Sequence, residues 1–426
     1  MNRLTRIAIA VAVTAPLSLS AQTLFIDDAT VHTMLDSAPM ENADILIVDG
    51  VITAVDYGLE IPADAELIEA EGRPVTPGFF AGISALGIVE VSLEAATVDN
   101  QLILAETPIA DKLRPEFNVA LAFNPASSLI PITRVEGYNW TVLHAQREGN
   151  IIGGQGRPAM LGGHYDSLIG DPVLFIDVGS DASEESFGSR AAQWMLLSQA
   201  VDESESTIEW TPDPLLTPAG RKAMKLFTGS SASSVTVFHV HRASDILQVL
   251  AFSEEHGFNP IIFGGSEAWK VADQLAQADV PVLIDPLANL PADFDQLGAR
   301  LDAASILHQA GVRIGILNTG NGTHNARDIR FRAGIAVAHG LPWQAALEGV
   351  TIRPAQMFGV DHHTGTIEAN QRANIVIWSG DPLDVTSVAD LVILDGEPDS
   401  MVTRQTLLRD RYSAPEGELP RGYIKP

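Results

Sequence analysis

The chain has 426 residues, 46% of them hydrophobic, and its 26 basic against 54 acidic side chains give a net charge of −28. That length exceeds one small domain and suits a barrel of about 250 residues carrying a second domain. The acidity excludes nucleic acid as a partner, because phosphate binding needs clustered Lys and Arg, and it opposes contact with an anionic membrane. With no Cys in the sequence, disulfides and thiolate metal sites are excluded, and any metal falls to His, Asp, Glu or a modified Lys.

Met1 to Arg6 is basic, Ile7 to Leu19 is mostly apolar, and Ser20-Ala21-Gln22 follows. This is the pattern of a secretory signal peptide over residues 1–21, with cleavage after Ala21, and it predicts a periplasmic or secreted protein. The apolar run is too short to span a bilayer, so no membrane anchor is expected. From Thr23 to Val75 short β-rich runs alternate with turns, and Asp49-Gly50 between two of them is a hairpin signal. Pro77 biases Thr76 to extended backbone and Gly78 frees a turn, after which Phe79 to Ile83 reads as a buried strand.

The middle of the chain, Ser92 to Ser234, is less regular. Asp181 to Glu185 and Asp202 to Glu209 read as solvated loops flanking a short helix over Ala191 to Ala200. From Val235 onward strand and helix alternate. Strands are predicted at Val235–Phe238, Pro260–Phe263, Val280–Ile284 and Val312–Leu317. Helices are predicted at Asp245–His256, Glu267–Ala278, Asp295–Ala310 and within Asp328–His339. Gly340 then supplies a stop and Pro342 a start. Such βα repetition implies parallel strands with right-handed crossovers. Gly365 to Gly396 returns to short strands, matching the texture of the N-terminal part.

His239-Val240-His241 is the best local metal signal, since residues two apart on a strand point to one side. A pair alone falls short of the usual ligand count, and polar residues at a strand end account for it as well. His144, His164 and His324 lie near loop mouths, whereas His256, His308 and His339 sit at helix C-termini, where the dipole favours them. No nucleophile motif stands out: Gly-x-Ser-x-Gly is absent, and Gly82-Ile83-Ser84-Ala85 lacks its last glycine. Thr319 to Asn325 follows a predicted strand, where binding residues collect in barrels.

Pro77-Gly78-Phe79-Phe80 with Gly87, Gly154-Gln155-Gly156, Phe238-His239, and Gly365 to Pro382 together resemble the amidohydrolase superfamily, in particular its imidazolonepropionase-like branch. The resemblance implies an α/β fold: a TIM-like (β/α)8 barrel plus a small β-sandwich formed by the N- and C-terminal segments. Its boundaries would be 22–76 and 359–400 for the sandwich, 77–358 for the barrel and 401–426 for a C-terminal tail. It implies a hydrolase acting on a carbon–nitrogen bond of a small-molecule substrate, with zinc or another divalent metal. The family's ligand positions fall on Ile83 and Ala85 (strand one), His239 (strand five), Gly264 (strand six) and Asn321 (strand eight), so most donors are replaced. His239 and His241 remain the metal candidates, Asn321 the catalytic candidate, and Thr319, His324, Asn325 and Arg327 the substrate-binding candidates. The alternative is a non-catalytic binding module that keeps the pocket. Oligomeric state is open. N-terminal mass spectrometry of the protein from its native host is expected to find Gln22 first, and an intact Met1 would refute export.

Overall fold

The computed structural model describes residues 22–104, 113–207, 214–229, 234–320 and 323–413. The predicted signal segment and Asn321 lie outside these. The N-terminal segment forms β1 (Thr23–Val31), β2 (Met40–Val48), β3 (Val51–Asp56), β4 (Glu66–Glu69) and β5 (Pro74–Pro77). The central strands are β6 (Phe79–Ser84), β7 (Tyr138–Leu143), β8 (Ile152–Gly156), β9 (Pro158–Met160) and β10 (Val173–Asp177). They continue as β11 (Val235–Val240), β12 (Asn259–Gly264), β13 (Val282–Ile284) and β14 (Ile314–Ile316). β15 (Ile375–Trp378), β16 (Ala389–Leu394) and β17 (Glu397–Pro398) close the strand list.

Both chain ends enter one eight-stranded sheet, ordered β17-β16-β15-β5-β1-β2-β3 with β4 against β1. β5 joins the halves, parallel to β1 and antiparallel to β15. The Asp49-Gly50 hairpin forms as its sequence predicts, with both residues at positive φ (50° and 79°) and β2 antiparallel to β3. Alternation decides what each face buries. Ile375 and Ile377 pack with Leu24, Ile26, Ile45 and Ile393 in a core of the sheet's own. Val376 and Trp378, pointing the other way, enter the large core. Among the described residues the two ends therefore form a single composite sheet, and a two-layer sandwich is not seen.

The remaining strands form a six-stranded sheet, β14-β13-β12-β11-β10-β8, and a three-stranded sheet, β6-β7-β9. From β10 to β14 every pairing is parallel, as the βα repeats require. No ladder joins the two sheets among the described residues, so the hydrogen bonding does not close a barrel. Two features account for this. β13 and β14 are three residues each, and β8 and β9 run antiparallel to β10 and β7 where the repeat calls for a parallel strand. The helix from Arg190 to Glu205 is longer than expected and absorbs the acidic run at Asp202. Glu203 is buried there, accepting from the backbone N–H groups of Leu215 and Leu216, so a run read as a solvated loop is half structural. The predicted helix over Glu267–Ala278 begins as a 3-10 turn, Ala268–Val271, before Ala272–Gln277. Pro342 precedes Trp343–Glu348 as its N-cap.

Trp378 couples the composite sheet to the central strands. It is fully buried, its Nε1–H donates to Thr76 Oγ1 at 2.9 Å, and its ring lies 4.8 Å from that of Phe79 on β6. Trp378→Ala empties this joint and removes the donor to Thr76 Oγ1, which keeps its own hydrogen bond to Pro77 O. The expected cost is about 3–5 kcal/mol, read as a lowered urea midpoint, with Trp378→Phe losing distinctly less.

Candidate functional site

The C-terminal ends of the parallel strands carry the polar groups. Asp177 is the last residue of β10 and pairs in register with His239 of β11. His239 Nδ1 lies 2.8 Å from Asp177 Oδ1, and His239 Nε2 lies 3.2 Å from His241 Nε2. His241 Nδ1 lies 2.8 Å from Ser266 Oγ, just beyond the end of β12. The two-residue period of the strand puts both imidazoles on one side, as the sequence predicts, and the neighbouring strands supply an oxygen at each end. An ionised carboxylate only accepts, so His239 Nδ1–H donates to Asp177. With both rings neutral, His241 Nε2–H then donates to His239 Nε2, and Ser266 Oγ–H donates to His241 Nδ1.

The local electrostatics fit this order. Burial would raise the Asp177 pKa, but the hydrogen bond from His239, with help from Arg147, outweighs it and holds the carboxyl below its usual range. Burial pushes His241 down to about 4, so that it is neutral at pH 7. His144, half-buried beside Phe175, is pushed down to about 4 by burial, against the pull of Asp177.

Gly264 explains how His241 reaches Ser266. Its φ is +94°, and a Cβ there would sit 2.7 Å from His241 Cε1 and 3.1 Å from both ring nitrogens. The imidazole of His241 thus occupies the space that a side chain at the strand-six position would need.

Two cavities meet at this row. One of about 190 Å³ is lined by His241, Ser266, Ser180, Asp285 and Asp293. The other, of about 710 Å³, is lined by Ile83, Ala85, Val89, Leu129, Phe263 and Ile329 among others. Arg147, Asp177, His239 and Thr319 line both. Arg147 Nε is 3.4 Å from Asp177 Oδ1. Asp285, buried at the end of β13, accepts from Thr319 N–H and Oγ–H and pairs with Arg332, which fixes the start of the loop after β14.

Of the expected site residues, the structure brings together His239 and His241 and places Thr319 at the junction of the cavities. Asn321 lies outside the described residues, as does the side chain of His324. Asn325 and Arg327 are not among the residues lining either cavity; their carbonyls accept from Asn318 Nδ2 and Tyr138 OH, respectively. Sequence reasoning missed Asp177, Arg147, Asp285 and Ser266. Asp177 carried a signal, since it ends the apolar run Val173–Ile176.

The metal set implied by the resemblance does not fit these residues. Ile83 and Ala85 present hydrocarbon to the larger cavity, Gly264 has no side chain, and an Arg guanidinium sits beside the Asp177 carboxylate. Among the described residues no group of three or more His, Asp or Glu side chains is arranged to hold an ion.

A mixed α/β fold with polar groups gathered where parallel strands end defines a class of enzyme-like α/β proteins with a site at the strand C-termini. The comparisons narrow it. The Amidohydrolase family model matches residues 217–408. A curated relative, "Amidohydrolase tasK" of Hapsidospora irregularis, is 24% identical over 405 residues, covering 83% of this chain and 39% of that protein. The chain thus spans well under half the length of that relative. The crystal structure of an amidohydrolase from Thermotoga maritima MSB8 superposes with a TM-score of 0.76 at 23% identity, covering 88% of this chain and 99% of that one. A prolidase complexed with n-methylphosphonate-l-proline gives 0.54 at 15% identity over 89% and 99%. The family-model match supports kinship with the amidohydrolase superfamily over residues 217–408, and the structural likeness implies a TIM-like fold.

Gly264→Ala tests the packing at the heart of the site. The new Cβ strains a left-handed backbone, at a cost of about 1–3 kcal/mol, and pushes the His241 ring off Ser266. A lowered melting temperature and altered His241 ring ¹⁵N shifts are expected; unchanged shifts would mean the ring does not rest on Gly264.

Proposed function

We propose that the protein is an exported hydrolase acting on a carbon–nitrogen bond of a small-molecule amide, cyclic amide or peptide-like substrate, with a degenerate metal site. The observation that carries this is the row Asp177–His239–His241 set between two cavities at the strand C-termini. An imidazole oriented by a carboxylate is suited to general acid–base work, which contributes about 10²–10⁴-fold. It removes a proton from the attacking oxygen and returns it to the leaving nitrogen, so that an amide and water become an acid and an amine. Arg147, lining both cavities, supplies positive charge beside the reacting carbonyl. The imidazolonepropionase-like branch, the barrel at 77–358 with a β domain from 22–76 and 359–400, and the periplasmic or secreted location belong to the same reading. It is supported by the family match and by the sequence patterns given above.

One observation favours the alternative of a binding module: Ile83, Ala85 and Gly264 leave the family's ligand positions without donors. Purified protein should therefore be assayed on amides, imidazolones and dipeptides before and after chelator. The expected outcome is less than stoichiometric zinc, manganese or iron, chelator-resistant turnover, and a loss of about 10²–10⁴-fold for His239→Ala. One tightly bound metal per chain, lost with His239→Ala, would overturn the degenerate site. Ligand binding without turnover would favour the binding module.

A further inference from the structure

Ser266 sits in a setting the general acid–base reading leaves unused. β12 ends at Gly264, and the chain turns through Gly264 (φ +94°) and Gly265 (φ +54°) before the 3-10 turn at Ala268. Ser266 stands at the apex of this strand-to-helix turn. The local sequence, Gly264-Gly265-Ser266-Glu267-Ala268, departs from Gly-x-Ser-x-Gly only in its last residue. That motif places a serine on a sharp turn at a strand end, with its hydroxyl exposed to a partner base. The turn is pinned to the neighbouring strand: Gly265 N–H donates to Val240 O at 2.8 Å, and Glu267 N–H to His241 O at 2.9 Å. The serine is thereby held against the residue whose ring it touches.

The second observation is the order of contacts. Ser266 Oγ is 2.8 Å from His241 Nδ1, His241 Nε2 is 3.2 Å from His239 Nε2, and His239 Nδ1 is 2.8 Å from Asp177 Oδ1. A nucleophilic serine needs a base within hydrogen-bond reach and a group that orients that base. Here His241 is the base, and the His239–Asp177 pair orients it. Ser266 and His241 both line the smaller cavity, which adjoins the larger one at His239.

We infer that Ser266 is a catalytic nucleophile, activated by His241 and held in register by His239 and Asp177, and that hydrolysis runs through an acyl-serine. The Oγ proton passes to His241 Nδ1 as Oγ bonds to the carbonyl carbon. The C–N bond breaks as Nδ1–H gives its proton to nitrogen, and the amine leaves. Water then gives a proton to Nδ1 as its oxygen attacks the acyl carbon, and the ester bond breaks as Oγ takes that proton back. This rests on the hydrolase reading but assigns the chemistry to a different atom from a directly activated water.

The test is covalent labelling of the full chain with methanesulfonyl fluoride, small enough for a cavity of about 190 Å³, followed by intact and peptide mass spectrometry. One sulfonyl adduct on Ser266 is expected, absent in Ser266→Ala and at least 10-fold slower to form in His241→Ala. Because the sequence has no Cys, Ser266→Cys introduces a single thiol. Its alkylation by iodoacetamide should be at least 10-fold faster than in the Ser266→Cys/His241→Ala double variant. Equal alkylation rates, an adduct elsewhere, or amide turnover that survives Ser266→Ala would overturn the inference and leave the hydrolase reading standing. Labelling of Ser266 in a protein that turns over no amide would sustain the nucleophile and defeat the hydrolase reading.

Discussion

The site depends on one steric fact: the ring of His241 lies where a side chain on residue 264 would be. Two histidines on one strand at a spacing of two face the same way, and their Nε2 atoms meet at 3.2 Å. That leaves the Nδ1 atoms pointing outward, one toward each neighbouring strand. On the β10 side the register delivers Asp177, while on the β12 side the chain must be bare at Gly264 for the ring to lie across it and reach Ser266. A larger residue at 264 would remove not one contact but the continuity of the row.

Continuity matters because the row is partly withdrawn from water: Ser266 is buried and the two rings are half-buried. An imidazole taken out of water without partners would forfeit its hydration, whereas each ring nitrogen here has a polar neighbour. Burial still disfavours the charged form, and His241 is accordingly pushed down to about 4. The Asp177 carboxylate stays ionised because His239 and Arg147 more than offset its desolvation. The result is an ordered set of donors and acceptors whose direction is fixed at one end by a group that can only accept.

How much of this the sequence disclosed follows from the range of each signal. Short-range signals were legible: the Asp49-Gly50 hairpin, the strand–helix alternation from Val235, and the shared face of His239 and His241 all depend on residues close together in the chain. The two strand-rich ends were recognised as partners, but β5 stitching them into one sheet is a pairing over some 300 residues that texture cannot specify. The repeat calls for parallel strands throughout, and the resemblance for a barrel built from them. The antiparallel β8 and β9 interrupt it, through a segment whose apolar Gly-rich composition is compatible with either direction. At the site, Asp177 and Ser266 come from strands flanking β11, and no spacing along the chain announces that they approach its histidines. Ser266 was hidden further because its motif ends in Ala268 where glycine is sought.

Ile83 and Ala85, where the resemblance calls for histidines, line the larger cavity with Val89, Phe263 and Ile329. Neither Ile83 nor Ala85 offers a side-chain donor to a cation beside His239. On the proposed reading the chemistry then falls to imidazole and hydroxyl. Arg147 adds a guanidinium beside Asp177 in the lining of both cavities. On the proposed reading, the absent donors, the vacancy at Gly264 and the serine on its turn are parts of one rearrangement and not three separate departures from a pattern.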